Sequence, residues 1–338
     1  MTHLMKLFLG ARVAKTSIAA GLALYFASLL DFTGYTYAAL VAVLATQKSM
    51  ARSFGLAKYQ VVSALIGTLG GNLVALQFGT HPLFGALLVY ALFAVHLKLG
   101  WRNTILLSLV TGINSFSTFQ GELFVHALKQ VSIVLIGIGC SIVVNLVAVP
   151  RYEQKLEELI ERSEGMLRGL IYLMYNNLTH LEQGLSEEEY GKQVQDVRKY
   201  MQEARHYAEL IFEDQWIYNR KGIEAKQAIQ TLQQMELLAS HILILNKALD
   251  KVGVWVEAIP HIQRFMDVLM RIQLRVFRGK TVHFQLADQA IQFLDQVFRE
   301  MELPKNRLEF VSRAALYHFY EELKEYYEDL KRIRSERR

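Results

Sequence analysis

Two hydrophobic patterns meet at Pro150 of this 338-residue chain. Up to Val149 apolar residues run nearly unbroken, and from Arg151 they recur every three or four positions among charges. In VVNLVAVPRYEQKLEELIER, residues 143–162, all seven charges follow the proline. Before it, six runs approach the roughly 20 residues that a helix needs to cross ~30 Å of hydrocarbon. They cover 12–30, 34–48, 58–78, 82–98, 102–119 and 124–149, with short links. A bilayer gives backbone groups no water, and these runs have the wrong period and length for a β-barrel, so each is expected to be a helix. After Pro150 the stripe Leu156, Leu159, Ile160, Met166, Leu167, Leu170 and Leu173 opens an amphipathic helix. Ser186 with Glu189 reads as a capping box starting the next. Further helices are expected over 187–213, 221–250, 258–278, 284–302 and 305–335, punctuated at 219–222, Gly253, Pro260, Gly279 and Pro304. The expected fold is all-α: a six-helix transmembrane bundle over residues 1–150, then an antiparallel cytoplasmic helical bundle over 151–338.

Charge sharpens the division. The first 150 residues hold nine basic side chains (Lys6, Arg12, Lys15, Lys48, Arg52, Lys58, Lys98, Arg102, Lys129) against Asp31 and Glu122, a balance of +7. The remainder holds 28 basic and 30 acidic residues of the chain's 37 and 32. A soluble nucleic-acid binder would carry its excess on a polar domain. Cations placed between apolar runs instead read as topology signals. The N-terminal segment has Lys6, Arg12 and Lys15; Lys48, Arg52 and Lys58 sit at the second link, Lys98 and Arg102 at the fourth, and Arg151 and Lys155 after the sixth run. The other three links carry Asp31, His81 and Glu122 and no Lys or Arg. Both termini and the whole second half are therefore expected in the cytoplasm, in a multi-pass protein of the plasma membrane. Arg12 and Lys15 delay the first apolar stretch, which reads as a retained helix rather than a signal peptide.

An ionisable group inside a span costs at least ~2.5 kcal/mol at the bilayer centre, so each asks for a reason. Arg12 and Lys15 share one face of the first helix, where they either snorkel to headgroups or line a path. Lys129 lies about two turns below the outer surface on the face of Glu122 and His126, and either neutralises a helix end with them or contributes to the path. Thr111, Asn114, Ser115, Thr118 and Gln120 make the outer half of the fifth run polar, and Gln47 and Lys48 close the second. No carboxylate falls deep in a run, so cations and amide donors favour an anion. The candidate anion path is Arg12, Lys15, Gln47, Lys48, Asn114, Ser115 and Lys129; proton coupling would fall to Glu122, His126 or His96. Gly67 and Gly71, four apart, and Gly137 with Gly139 mark close helix contacts, and Asn72 and Asn145 read as interhelical hydrogen bonders.

The single cysteine, Cys140, excludes an intrachain disulfide and a thiolate zinc site. His206, His241, His261, His283 and His318 show no ligand spacing, so no metal or other cofactor is expected. No phosphate-cradling loop, nucleophile elbow or metalloprotease helix is present, and nothing points to an enzyme. Trp216, Tyr218, Trp255, Phe265, Phe284, Tyr317, Phe319 and Tyr320 fit a helical core or interface. The basic tail KRIRSERR fits a solvated helix end or a contact with anionic headgroups.

YTYAALVAVLATQKSM, followed by VVSALIGTLGGNLVA, resembles the second and third helices of the aromatic acid exporter superfamily, and RVAKTSIAAGLALYFA resembles its opening helix. That superfamily includes fusaric-acid resistance proteins and plant aluminium-activated malate transporters; the whole chain is most similar to its bacterial aromatic acid exporter branch. The shared motif is Gln47 with Ser49 and Gly67-Thr68 with Gly71. The resemblance implies a homodimer whose membrane helices surround an anion path above paired cytoplasmic domains. The expected function is transport of organic, aromatic carboxylate-like anions across the plasma membrane, as efflux. The expected partners are the bilayer, a small organic anion and a second copy of the chain, with no nucleic acid. The alternatives are a passive anion channel and a membrane-anchored scaffold or sensor working through its helical bundle.

Overall fold

The computed structural model describes residues 11–30, 34–47, 49–119, 121–147, 152–179, 187–218, 222–254 and 256–336. Among them the chain forms twelve α-helices, one 3₁₀ turn and no strand. It divides into two compact units: Met1–Arg151 with Glu213–Arg220, and Tyr152–Phe212 with Lys221–Arg338.

The first unit contains α1 (Ala11–Ser28), α2 (Tyr37–Ala45), α3 (Met50–Phe78), α4 (Pro82–Leu99), the 3₁₀ turn Arg102–Thr104, α5 (Ile105–Thr118) and α6 (Leu123–Val147). Three of these, α3, α4 and α6, are long and apolar enough to cross a membrane. The six expected full-length runs therefore become three long helices and three shorter ones: the apolar part of α1 covers Val13–Ser28, α2 has 9 residues and α5 has 14. The shortening has a local cause. Thr46 turns to extended backbone with ψ 112°, and the Ser49 hydroxyl caps α3 by accepting from Arg52 N. The expected basic link is thus mostly helix, with Arg52 and Lys58 riding on the first turns of α3, which is about 43 Å long at 1.5 Å per residue.

Small residues face inward in this unit. Ala19, Ala23 and Ala27 of α1, one turn apart, pack with Ala38 and Ala42 of α2 and with Ile133 and Val144 of α6. A Cβ on Gly67 would overlap the Ser108 carbonyl oxygen, and one on Gly71 the Gly112 carbonyl oxygen, so α3 and α5 touch backbone to backbone. Gly137 lets α6 approach α2, where an added Cβ would lie 2.7 Å from the Ala38 oxygen; Gly139 faces open space. Large apolar side chains point outward, including Tyr90 at 75% and Phe124 at 83% exposure. In α4 only Leu88, Leu92 and His96, one stripe at four-residue spacing, are buried. Such a surface suits lipid and not water.

The second unit contains α7 (Tyr152–Thr179), α8 (Glu187–Tyr218), α9 (Gly222–Leu249), α10 (Ile259–Phe277), α11 (Gln285–Glu300) and α12 (Arg307–Glu336). Helix α8 runs past the expected end at 213 because no glycine or proline interrupts FEDQWIY, and its last residues, from Glu213, group with the first unit. The Ser186 cap, Trp255, Gln120 and Lys48 lie outside the described residues, as do the side chains of Trp216 and Tyr218. Of the expected aromatics Phe265, Phe319 and Tyr320 are fully buried, together with Tyr326 and Tyr327, whereas Tyr317 is exposed. The Tyr320 and Tyr327 hydroxyls are satisfied in register. Tyr320 donates to Asp295 Oδ1 at 2.7 Å and Tyr327 to Asp288 Oδ1 at 2.7 Å, each carboxylate also meeting a lysine one turn on, Lys324 and Lys331. The seven-residue repeat on α11 thereby meets the seven-residue repeat on α12.

Candidate functional site

Two polar regions lie in the apolar-surfaced first unit. The first is a buried cluster where α3, α5 and α6 meet. The Ser115 hydroxyl donates to Asn72 Oδ1 at 2.6 Å, and His126 Nδ1 lies 2.9 Å from the same oxygen. His126 Nε2 lies 3.1 Å from Thr118 Oγ1. Gln130 Nε2 also reaches that hydroxyl, at 3.4 Å, and Asn114 Nδ2 donates to Gln130 Oε1 at 2.8 Å. Asn72 Nδ2 completes the set by donating to the Leu123 carbonyl. Both ring nitrogens of His126 face oxygens. The Thr118 hydroxyl also reaches the Asn114 carbonyl oxygen at 2.8 Å, which ties the His126 contact back to α5.

The cluster draws together three expected residues, Asn114, Ser115 and His126, and leaves out two. Glu122 and Lys129 are exposed and form no ion pair with each other or with His126 among the described residues. The helical wheel explains this: residues 122 and 129 sit about 40° and 60° to one side of His126, whereas Gln130, about 40° to the other side, turns into the cluster. His96 is buried apart from it, with Nδ1 2.9 Å from the Leu92 carbonyl oxygen.

The second region is a pocket of about 750 Å³ lined by Gln47, Arg52, Tyr59, Trp101, Arg102 and Asn103, among others. Gly100 builds its rim. At φ 73° it ends α4 in the left-handed conformation and turns the chain so that Trp101 and Arg102 follow at once. Thr104 then ties this turn to α3 by accepting from the Ser63 hydroxyl at 2.7 Å. The Tyr59 and Trp101 rings meet edge to face at 5.5 Å, and Lys58 lies over the Tyr59 ring at 4.9 Å. Arg52 grips the Glu213 carboxylate through Nε and Nη2, both at 2.7 Å. Arg102 has no ion pair among the described residues. A pocket lined by a guanidinium-bearing side chain and two aromatic rings can take a carboxylate through the hydrogen-bond fork and the attached ring by stacking.

Of the remaining expected path residues, Gln47 lines this pocket and its carbonyl accepts from Asn145 Nδ2 at 3.0 Å. Asn145 also donates to the Ser53 hydroxyl at 2.9 Å, confirming its reading as an interhelical hydrogen bonder. Lys15 is half-buried on α1, and the Arg12 side chain lies outside the described residues. Asp214, near the end of α8, groups with the same unit. Asp214 is itself buried, accepting from the Ser49 hydroxyl at 2.7 Å and from Ala51 N at 2.9 Å at the start of α3. Sequence reading of the first 150 residues finds no buried carboxylate because this one arrives from residue 214. It also takes Arg52 and Arg102 for topology signals alone. The hint it passes over is that two basic links at one end each carry an adjacent aromatic, Tyr59 and Trp101.

An apolar-surfaced helical unit joined in one chain to a charged helical unit defines an all-α membrane protein. Residues 7–148 match the family described as "Aromatic acid exporter family member 1", and residues 153–329 match the "Putative aromatic acid exporter C-terminal domain". The chain belongs to the aromatic acid exporter family. It is similar to UPF0421 protein YgaE of Bacillus subtilis (strain 168), 29% identical over 268 residues covering 74% of this chain and 76% of that protein. It is also similar to Uncharacterized protein YqjA of the same organism, 23% identical over 329 residues covering 94% of each. No solved structure matches it.

Proposed function

We propose that this protein carries organic anions of the aromatic carboxylate class outward across the plasma membrane, and that the pocket between the start of α3 and the α4–α5 turn is where the anion first binds. The observation that carries this reading is that Arg102, Trp101 and Tyr59 line one pocket, at the end of the unit where positive-inside bias leads us to expect the cytoplasm. Six membrane passages, cytoplasmic termini and assembly of two copies belong to the same proposal, supported by the charge pattern and by the outward-facing apolar side chains.

Coupled transport is preferred to a passive channel because the cluster places a titratable side chain, His126, among buried hydrogen-bonding partners on three helices. The test is efflux of radiolabelled benzoate from proteoliposomes containing the full chain, with and without a pH gradient. The expected result is flux that rises with the gradient, loses the gradient effect in His126→Gln and falls at least ten-fold in Arg102→Ala. Flux unchanged by Arg102→Ala would remove the pocket from the account. Gradient-independent flux would make the protein a passive anion channel.

A further inference from the structure

In the second unit, Glu322, Glu325 and Asp329 share one face of α12, spaced by three and four residues, and face His241 of α9. We propose that His241, Glu322 and Glu325 bind a divalent transition-metal ion, with Asp329 orienting the imidazole. A ligand oxygen from each glutamate and a ring nitrogen of His241 lie within 4.8 Å of one another.

The geometry goes beyond a set of nearby acids. His241 and Glu322 are buried, at 9% and 6% exposure, whereas Glu325 stands at the solvent edge. His241 Nδ1 points at Glu322 Oε1, 2.6 Å away. Nε2 faces Asp329 Oδ2 at 3.0 Å, and Arg332 holds the other oxygen of Asp329 at 2.6 Å. A ligating histidine characteristically donates its second ring N–H to a carboxylate, which fixes both the tautomer and the ring orientation. Here that second partner is already in place and is itself fixed by a guanidinium. The Tyr326 ring closes the inner side edge to face at 6.0 Å, so an ion would enter past Glu325.

The charge balance points the same way. Three carboxylates surround one imidazole and one guanidinium, and a buried carboxylate such as Glu322 needs close positive charge. An ion at about 2.0–2.2 Å from nitrogen and oxygen ligands needs the 2.6 Å gap to open by about 0.4–0.8 Å, within reach of a side-chain adjustment. One imidazole with two carboxylates suits zinc, manganese or ferrous iron better than calcium or magnesium, whose shells are built from oxygen. Residue spacing carries no hint of it, because His241 and Glu322 are 81 residues apart. A bound ion would staple α9 to α12.

The test is isothermal titration of Zn²⁺ into the full-length, tag-free, chelator-stripped protein in detergent, with Co²⁺ absorption as a second readout. The expected result is one site per chain and a visible Co²⁺ d–d band. Glu325→Gln, at an exposed position, should weaken Zn²⁺ at least ten-fold while leaving helicity unchanged, and Asp329→Asn should weaken it by about ten-fold. No stoichiometric binding, or equal affinity in wild type and Glu325→Gln, overturns the proposal.

Discussion

The two units bury opposite things. The first keeps alanine, glycine, serine and asparagine inside and sends Tyr90 and Phe124 outward; the second buries Phe265, Phe319 and Tyr326 and surrounds them with charge. Where lipid is the solvent, apolar area gains nothing by turning inward, so close backbone contact and hydrogen bonds hold helices together. Where water is the solvent, burying rings contributes most. It follows that the second unit is sensitive to volume removed and the first to volume added.

The largest test of that contrast is Phe265→Ala in the second unit. It opens a void beside Tyr320 and Tyr327, whose rings lie 6.4 and 6.1 Å away, and should cost about 3–5 kcal/mol in a denaturant titration that follows this unit. A smaller test applies one substitution to both units. Gly71→Ala pushes a methyl into the α5 backbone and should cost about 1–3 kcal/mol, measured by refolding in detergent. Gly165→Ala and Gly169→Ala on α7 meet nothing within 4 Å and should instead stabilise by about 0.5–1 kcal/mol through helix propensity. Equal signs at Gly71 and Gly165 would break the comparison. Next comes Ser115→Ala, which removes a donor from Asn72 Oδ1 inside the polar cluster and should cost about 1 kcal/mol, read from the thermal midpoint in detergent.

The smallest effect concerns pH in the second unit. Burial pushes the Glu164 carboxyl above its ordinary value of 4.5, against the opposing pull of Arg168. The folded state then binds the proton more tightly than the unfolded chain, so this group's contribution favours folding at low pH. That contribution is lost as pH rises from 4.5 through the raised value. Urea midpoints measured across this range should fall with pH more steeply in wild type than in Glu164→Gln. Parallel curves would mean that Arg168 fully compensates the burial.

Much of the fold is legible in the order of residues, because helix periodicity and breakers act locally. The stripe from Leu156 to Leu173 and the breaks at Gly253, Gly279 and Pro304 place the helices of the second unit within a few residues, and the spacing of Gly67 and Gly71 anticipates the α3–α5 contact. The misreadings arise where hydropathy hides a local backbone event. Thr46 and Ser49 end one helix and cap another inside what reads as a single apolar run with a basic link. The candidate site is only half legible. Asn114, Ser115 and His126 announce themselves as polar residues in oil, but the Arg52–Arg102 pocket, the Asp214 cap and the His241 cluster each join residues at least 50 positions apart, and one chain's spacing carries no trace of them.

The most direct measurement is equilibrium binding of benzoate and of cyclohexanecarboxylate to the full-length protein, its Arg102→Ala variant and its Trp101→Ala variant. If Arg102 takes the carboxylate and Trp101 the ring, wild type binds benzoate more tightly, Arg102→Ala weakens both ligands, and Trp101→Ala removes only the preference for benzoate. Undiminished binding of both ligands in Arg102→Ala would contradict the account.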